Sequence, residues 1–179
     1  MITFDFKDGN GPVPAHKHPN GGGWVADTAT VADTAYVGFD AKVFGNARVS
    51  GDAWVYGDAW VFGNARVYGY ARVFGNAWVR SDAVVYGNAQ VYGDAQVYDD
   101  ARVINKAQVF GHAQLYDDAR VFGYAWVYGN AQVCSDARVC RNARVYGDAW
   151  ASNDAEEDMF IEMNGKRYKL VEIEEGDDE

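Results

Sequence analysis

His16, His18 and His112 are the only imidazoles of this 179-residue chain, and Cys134 and Cys140 its only thiols. These are the side chains suited to general base, metal-ligand or nucleophilic work. His16 and His18 alternate in PVPAHKHPNGGGW and present two nitrogens at close spacing. Zinc needs three or four well-placed ligands, so this pair is at most a weak metal candidate, formed where copies converge on a symmetry axis. His112 follows Gly111 in a turn. A general base needs a tunable pKa and a stable position near its proton donor, and a turn residue offers little to hold it. Cys134 and Cys140 stand six residues apart with no evident partner base to activate a thiolate. They are expected to be free thiols on outward positions of neighbouring sides, separated by a corner that disulfide geometry does not bridge. No catalytic residue, metal site or cofactor is expected, with His112 as the runner-up base.

The elements that carry these residues follow from a repeat. Valine recurs every six residues from Val25 to Val145, and the one replacement is Leu115. Alanine stands two residues before nearly every one, and no insertion breaks the count. Each unit alternates as Ala-x-Val-x and ends in a pair such as Gly57-Asp58 or Gly75-Asn76. Alternation sends Ala and Val to one side and the intervening residues to the other. Gly, Asn and Asp suit the bend. One such unit cannot bury its apolar edge alone, whereas stacked coils can.

The outward positions give the number of sides. Arg48, Arg66, Arg102, Arg120 and Arg138, each just before a Val, are separated by multiples of 18. Tyr56, Phe74, Tyr92, Phe110, Tyr128 and Tyr146, each just after a Val, are spaced by 18 without a gap. Three sides of six residues satisfy both series. About seven coils, each rising by roughly 4.8 Å, make a prism roughly 34 Å long.

Residues Val25 to about Ala151 resemble the hexapeptide-repeat, left-handed β-helix family, and the left-handed sense comes from that resemblance. The phrasing GNARVYGDAWVYG is closest in style to hexapeptide-repeat proteins of phages and prophages. The resemblance implies an all-β, three-sided parallel β-helix and, by family habit, a homo-oligomer, with a trimer first and a dimer second. It also implies two activities to weigh. In acyltransferases of the family a His base sits near a subunit interface, usually under a protruding loop. No loop interrupts these coils. In γ-type carbonic anhydrases three His from neighbouring subunits hold zinc. The His spacing of that branch is absent here.

The chain divides into an N-terminal cap, residues 1–23, the β-helix, 24–155, and a C-terminal hairpin with an acidic tail, 156–179. The cap reads as a loop folded over the first coil, with a short strand around Ile2–Phe6. In the C-terminal part, Asn164-Gly165 between apolar-rich segments signals a hairpin over 159–173, which would cover the last open coil, bind a partner or exchange between subunits. The net charge of −10 is unevenly spread. Residues 1–24 are neutral, 25–151 carry −2, and 152–179 hold eleven acids against three bases. A body with no basic excess argues against direct nucleic-acid binding, which depends on displacing counterions. No apolar run approaches a membrane span and the N-terminus lacks the pattern of a secretory signal. The expected compartment is the cytoplasm, that of a host if the protein is phage-encoded.

The outer surface is then the functional clue. Asp82, Asp100, Asp118 and Asp136, with Asp99 and Asp117, line a corner; Asp100, Asp118 and Asp136 stand two residues before Arg102, Arg120 and Arg138 and are expected to pair with them. A second face carries the Tyr/Phe column with Trp54 and Trp126. A third carries Trp24, Trp60, Trp78 and Trp150 with Phe44, Phe62, Tyr98 and Tyr116. Contiguous apolar patches mark interfaces. The expected function is a non-enzymatic, oligomeric protein-binding scaffold, in one version a phage-encoded inhibitor of a host defence factor. Its interface residues would be Tyr56, Phe74, Tyr92, Phe110, Tyr128, Tyr146, Trp54, Trp126, Trp60 and Trp78. The runner-up is a minimal acyltransferase with its site between subunits.

Overall fold

A computed structural model describes residues 2–152, together with the backbone of 160–163 and 166–169. The repeat builds a parallel β-solenoid of about seven 18-residue coils and three sheets, and the described residues contain no helix. Val67 pairs with Val49 below and Val85 above. The register holds from coil to coil because every unit has the same length. A backbone N–H donates to the carbonyl 17 residues ahead, as from Arg48 to Ala65 at 2.8 Å. Corners are tied in the same way, as from Asn76 to Gly93 at 2.8 Å. From Gly45 onward the first residue of each bend takes a positive φ, 72° at Gly93 and 58° at Ser81. The interior is a column of Ala and Val, fully buried from Ala35 to Val133. Leu115 takes a valine place there, between Val97 and Val133.

The three sheets differ in their ends. The capped sheet has twelve strands, of which Trp24–Ala26 is the first solenoid member and Trp150–Ser152 the last. Beyond Trp24–Ala26 lie Pro12–Lys17 and Thr3–Asp5, both antiparallel. Beyond Trp150–Ser152 lie Phe160–Met163 and Lys166–Lys169, also antiparallel. The arginine sheet runs from Thr30–Val31 to Arg138–Val139 and the aromatic sheet from Tyr36–Val37 to Arg144–Val145, seven strands each.

The N-terminal segment departs from expectation. Pro12–Lys17 is a strand rather than part of a loop. Its prolines are tolerated because they occupy alternate positions. Ala15 N–H donates to Ile2, just before the first strand, while the Pro14 carbonyl accepts from Asp27 on the other side. Both missing donors therefore face away from the Thr3–Asp5 strand. The loop reading holds for the stretch after it. The Asn20 carbonyl accepts from Val37 N–H at 3.0 Å, and Gly23 N–H donates to Val37 at 2.9 Å, so this loop covers the open edge of the aromatic sheet.

The segment also covers part of the outside. Phe6 stacks on Phe44 at 4.8 Å and Phe4 on Trp24 at 4.3 Å, forming a second small core with Ala15 and Ala26. Phe44, expected to point into solvent, is 4% exposed. Alternation does send it outward, and the N-terminal strands then bury it. The Asn164-Gly165 turn lies outside the described residues, while the strands that flank it pair from Phe160↔Lys169 to Met163↔Lys166.

Candidate functional site

The aromatic sheet carries the longest ordered feature of the outer surface. In-register pairing sets the residue after each valine directly above its counterpart, and flat rings at one strand spacing stack. Successive ring centroids from Tyr56 through Phe74, Tyr92, Phe110 and Tyr128 are 4.7–4.9 Å apart with planes within 4°. The last step, Tyr128 to Tyr146, is 5.4 Å and 14°. Stacking hides the ring faces and leaves the outer edges open, so the column is half-buried except for exposed Tyr146. Burial raises the pKa of the Tyr92 hydroxyl, which donates to Gln108 Oε1 at 3.1 Å.

A second column stands beside it, built from the residue before each valine. Arg72 lies over Trp54 at 5.8 Å and Arg144 over Trp126 at 4.7 Å. Trp54 is 46% exposed. Trp54 and Trp126 thus join the six rings on one face, as the 18-residue spacing implied. Trp60 and Trp78 do not. They stack on each other at 5.1 Å on the capped sheet, where Trp60 also packs against the N-terminal core. The ten predicted interface residues therefore fall on two faces.

Two exposed tyrosines at the corner between the arginine and aromatic sheets widen the surface, Tyr70 and Tyr124. Lys106 Nζ donates to Tyr124 Oη at 3.0 Å. The sequence reading passed over both. Their signal was a ring in a turn place otherwise held mostly by Asp or Asn.

The remaining sequence candidates are scattered. His112 is exposed on the corner between the aromatic and capped sheets, its Nδ1 3.7 Å from Asp94 Oδ2. Its corner is otherwise a ladder of amides and carboxylates, with Asn76 donating to Asp94 and Asn130 to Asp148, each at 2.9 Å. His16 pairs with Asp27 at 2.8 Å at the N-terminal end. His18 is 3% exposed, its Nδ1 3.1 Å from the Asn20 carbonyl oxygen, and its Nε2 has no partner among the described residues. No group of three or more His, Cys, Asp or Glu able to hold a metal occurs among those residues. With no helix among them, the described residues include none long and apolar enough to cross a membrane.

Two expectations about side chains are overturned. Cys134, placed on the outside by alternation, is 2% exposed. Trp150, one coil on, folds over it and donates from Nε1 to Sγ at 3.0 Å. Tyr116 lies one coil below, its hydroxyl pushed up to about 12, first by burial and then by the neighbouring Cys134. Both cysteines are free. The arginine–aspartate lattice also fails to form. Among the described residues Asp100 makes no ion pair with Arg102, nor Asp118 with Arg120. The aspartates belong to the bend, where Asp117 Oδ2 accepts from Ser135 N–H and Asp82 Oδ1 from Asn64 Nδ2, each at 3.2 Å.

Comparison with known proteins supports the solenoid. The family model described as the YdcK Beta solenoid repeat matches residues 41–57, 95–111 and 113–129. These segments fall within the coils and include Tyr56, Phe110 and Trp126. No curated protein matches the chain.

Proposed function

We propose that this β-solenoid is a non-enzymatic scaffold that self-associates through the outer face of the aromatic sheet and offers its remaining surface to a protein partner. The observation that carries this reading is the unbroken column Tyr56–Phe74–Tyr92–Phe110–Tyr128–Tyr146 with Trp54 and Trp126 beside it. The column spans five coil steps, about 24 Å, and the two columns stand about 7 Å apart. They cover on the order of 300 Å², the size of patch at which a surface begins to act as an interface. A stable pair of proteins buries about 800 Å² on each partner. The corner with Tyr70 and Tyr124 must therefore join the contact. The family habit of parallel trimers supports three copies ahead of two. The phage-like phrasing of the repeats supports a phage-encoded protein that engages a host factor.

The runner-up acyltransferase would have its site between subunits with His112 as base; within one chain His112 stands on an open corner with Asp94 Oδ2 3.7 Å from its Nδ1. The test is sedimentation equilibrium of the full chain beside an acetyl-CoA turnover assay. The proposal expects an oligomer that Phe110→Asp dissociates, and no turnover. A monomer at all concentrations, or turnover abolished by His112→Ala, would overturn it.

A further inference from the structure

On two of the three sheets, every outward-pointing base of the solenoid strands rests on a ring. Lys42 lies over Trp60 and Arg80 over Tyr98 on the capped sheet. Arg72 and Arg144 lie over Trp54 and Trp126 on the aromatic sheet. The arginine sheet keeps this pattern only at its last strand, where Arg138 lies over Phe122 at 5.5 Å, and breaks it at the four bases before. Arg48, Arg66, Arg102 and Arg120 are exposed and have no ion pair, side-chain hydrogen bond or ring contact among the described residues. Arg48 is in register with Arg66, and Arg102 with Arg120. Like charges directly opposite each other destabilise a sheet. The repulsion is left unrelieved within the described residues, in a protein that shields its bases on the other two sheets.

The neighbouring column on this face is apolar and runs Tyr68, Tyr86, Ile104, Phe122. Tyr68 and Tyr86 stack at 5.0 Å. Val84 interrupts the arginine column beside them. Burial raises the pKa of the Tyr68 hydroxyl, and Arg66 and Arg102 both draw it back down. Two guanidiniums from strands two coils apart thus act on one phenol, with the smaller Val84 between them.

We propose that the outer face of the arginine sheet binds an acid-rich polypeptide segment of a partner protein. Its carboxylates take Arg48, Arg66, Arg102 and Arg120, and its apolar residues take Tyr68, Tyr86 and Ile104. Four coil steps separate Arg48 from Arg120, about 19 Å, the length of roughly six residues of extended chain. Guanidinium–carboxylate pairs give such a contact both strength and geometry. The strip is narrow, because Asp82, Asp100 and Asp118 line the corner on its far side. A nucleic-acid strand would bring a continuous row of phosphates against those aspartates. A peptide presents its charges on one edge and avoids them. The surface lies on a different sheet from the self-association face, so either can fail alone.

The test is fluorescence anisotropy of the full chain with a short labelled peptide that intersperses glutamate with leucine and valine. Saturable binding is expected, weakening as salt is raised and falling about tenfold or more in Arg66→Gln/Arg102→Gln. Lys42→Gln/Arg80→Gln removes the same charge from the capped sheet and should leave binding unchanged. Absence of binding, an equal loss in the control pair, or tighter binding of an oligothymidylate would each overturn the proposal. Thermal melting of Arg66→Gln/Arg102→Gln guards against misfolding. Removing two repelling charges should hold or raise the melting temperature, and a fall would refute the reading of the column as unrelieved repulsion.

Discussion

Replacing Phe110 with alanine tests whether the aromatic column works for the fold, for assembly, or for both. Phe110 stacks on Tyr92 at 4.8 Å and on Tyr128 at 4.9 Å, with Trp126 edge-on at 6.2 Å. Each stacked pair is worth about 0.5–1.5 kcal/mol beyond burial. Losing both costs roughly 1–3 kcal/mol. A domain of this size shifts by roughly 2–4 °C per kcal/mol, so the melting temperature should fall by about 2–12 °C. Phe110→Tyr is the matched control, because Tyr56, Tyr92, Tyr128 and Tyr146 already stand in the column, and it should melt within about 2 °C of the parent. Melts followed by far-ultraviolet circular dichroism at two protein concentrations separate the two roles. Assembly makes the melting temperature rise with concentration, and Phe110→Ala should flatten that dependence. An unchanged melt with unchanged self-association would refute the stacking argument. A lower melt with undiminished self-association would confine the column to a structural role and overturn the proposed interface.

Other consequences follow from single residues. Gly93 has φ 72°, and a Cβ there would stand 3.0 Å from Gly111 N; Gly93→Ser should lose roughly 1–2 kcal/mol in urea unfolding, while Ser81→Gly, at φ 58°, should gain stability. If both changes moved stability the same way, the backbone would not be the cause. The Tyr116 hydroxyl, raised from 10.0 to about 12 by burial and then by Cys134, contributes stability that is fully present below pH 10.0 and lost as pH rises through about 12. Tyr116→Phe should therefore shrink the alkaline unfolding step followed by phenolate absorbance, and an unchanged step would assign it elsewhere. Cys134 is 2% exposed beneath Trp150, so a thiol reagent should modify Cys140 in the native protein and reach Cys134 only on unfolding or in Trp150→Ala. Equal rates at both thiols would contradict the burial.

The spacing of a few residue types was enough to read the solenoid. Valine every six positions specified the inward side, and Arg48, Arg66 and Arg102 at multiples of 18 specified three faces. Unbroken unit length forces each residue onto its counterpart in the next coil, so the column from Tyr56 to Tyr146 was legible before any coordinate. Contacts that leave this periodicity were not. Pro12–Lys17 read as a loop because its prolines hide a pairing visible only once the edge of Trp24–Ala26 is in place. Phe44 and Cys134 obey the outward alternation and are nonetheless buried, by Phe6 and by Trp150. Asp100 and Arg102 stand two apart in the chain, yet one belongs to a bend and the other to a flat face, so proximity in sequence did not become a pair. A repeat propagates through identical local contacts and writes itself into the residue order. A terminal strand or a large side chain settles on whichever neighbouring surface buries it best, and the finished coils alone determine which surface that is.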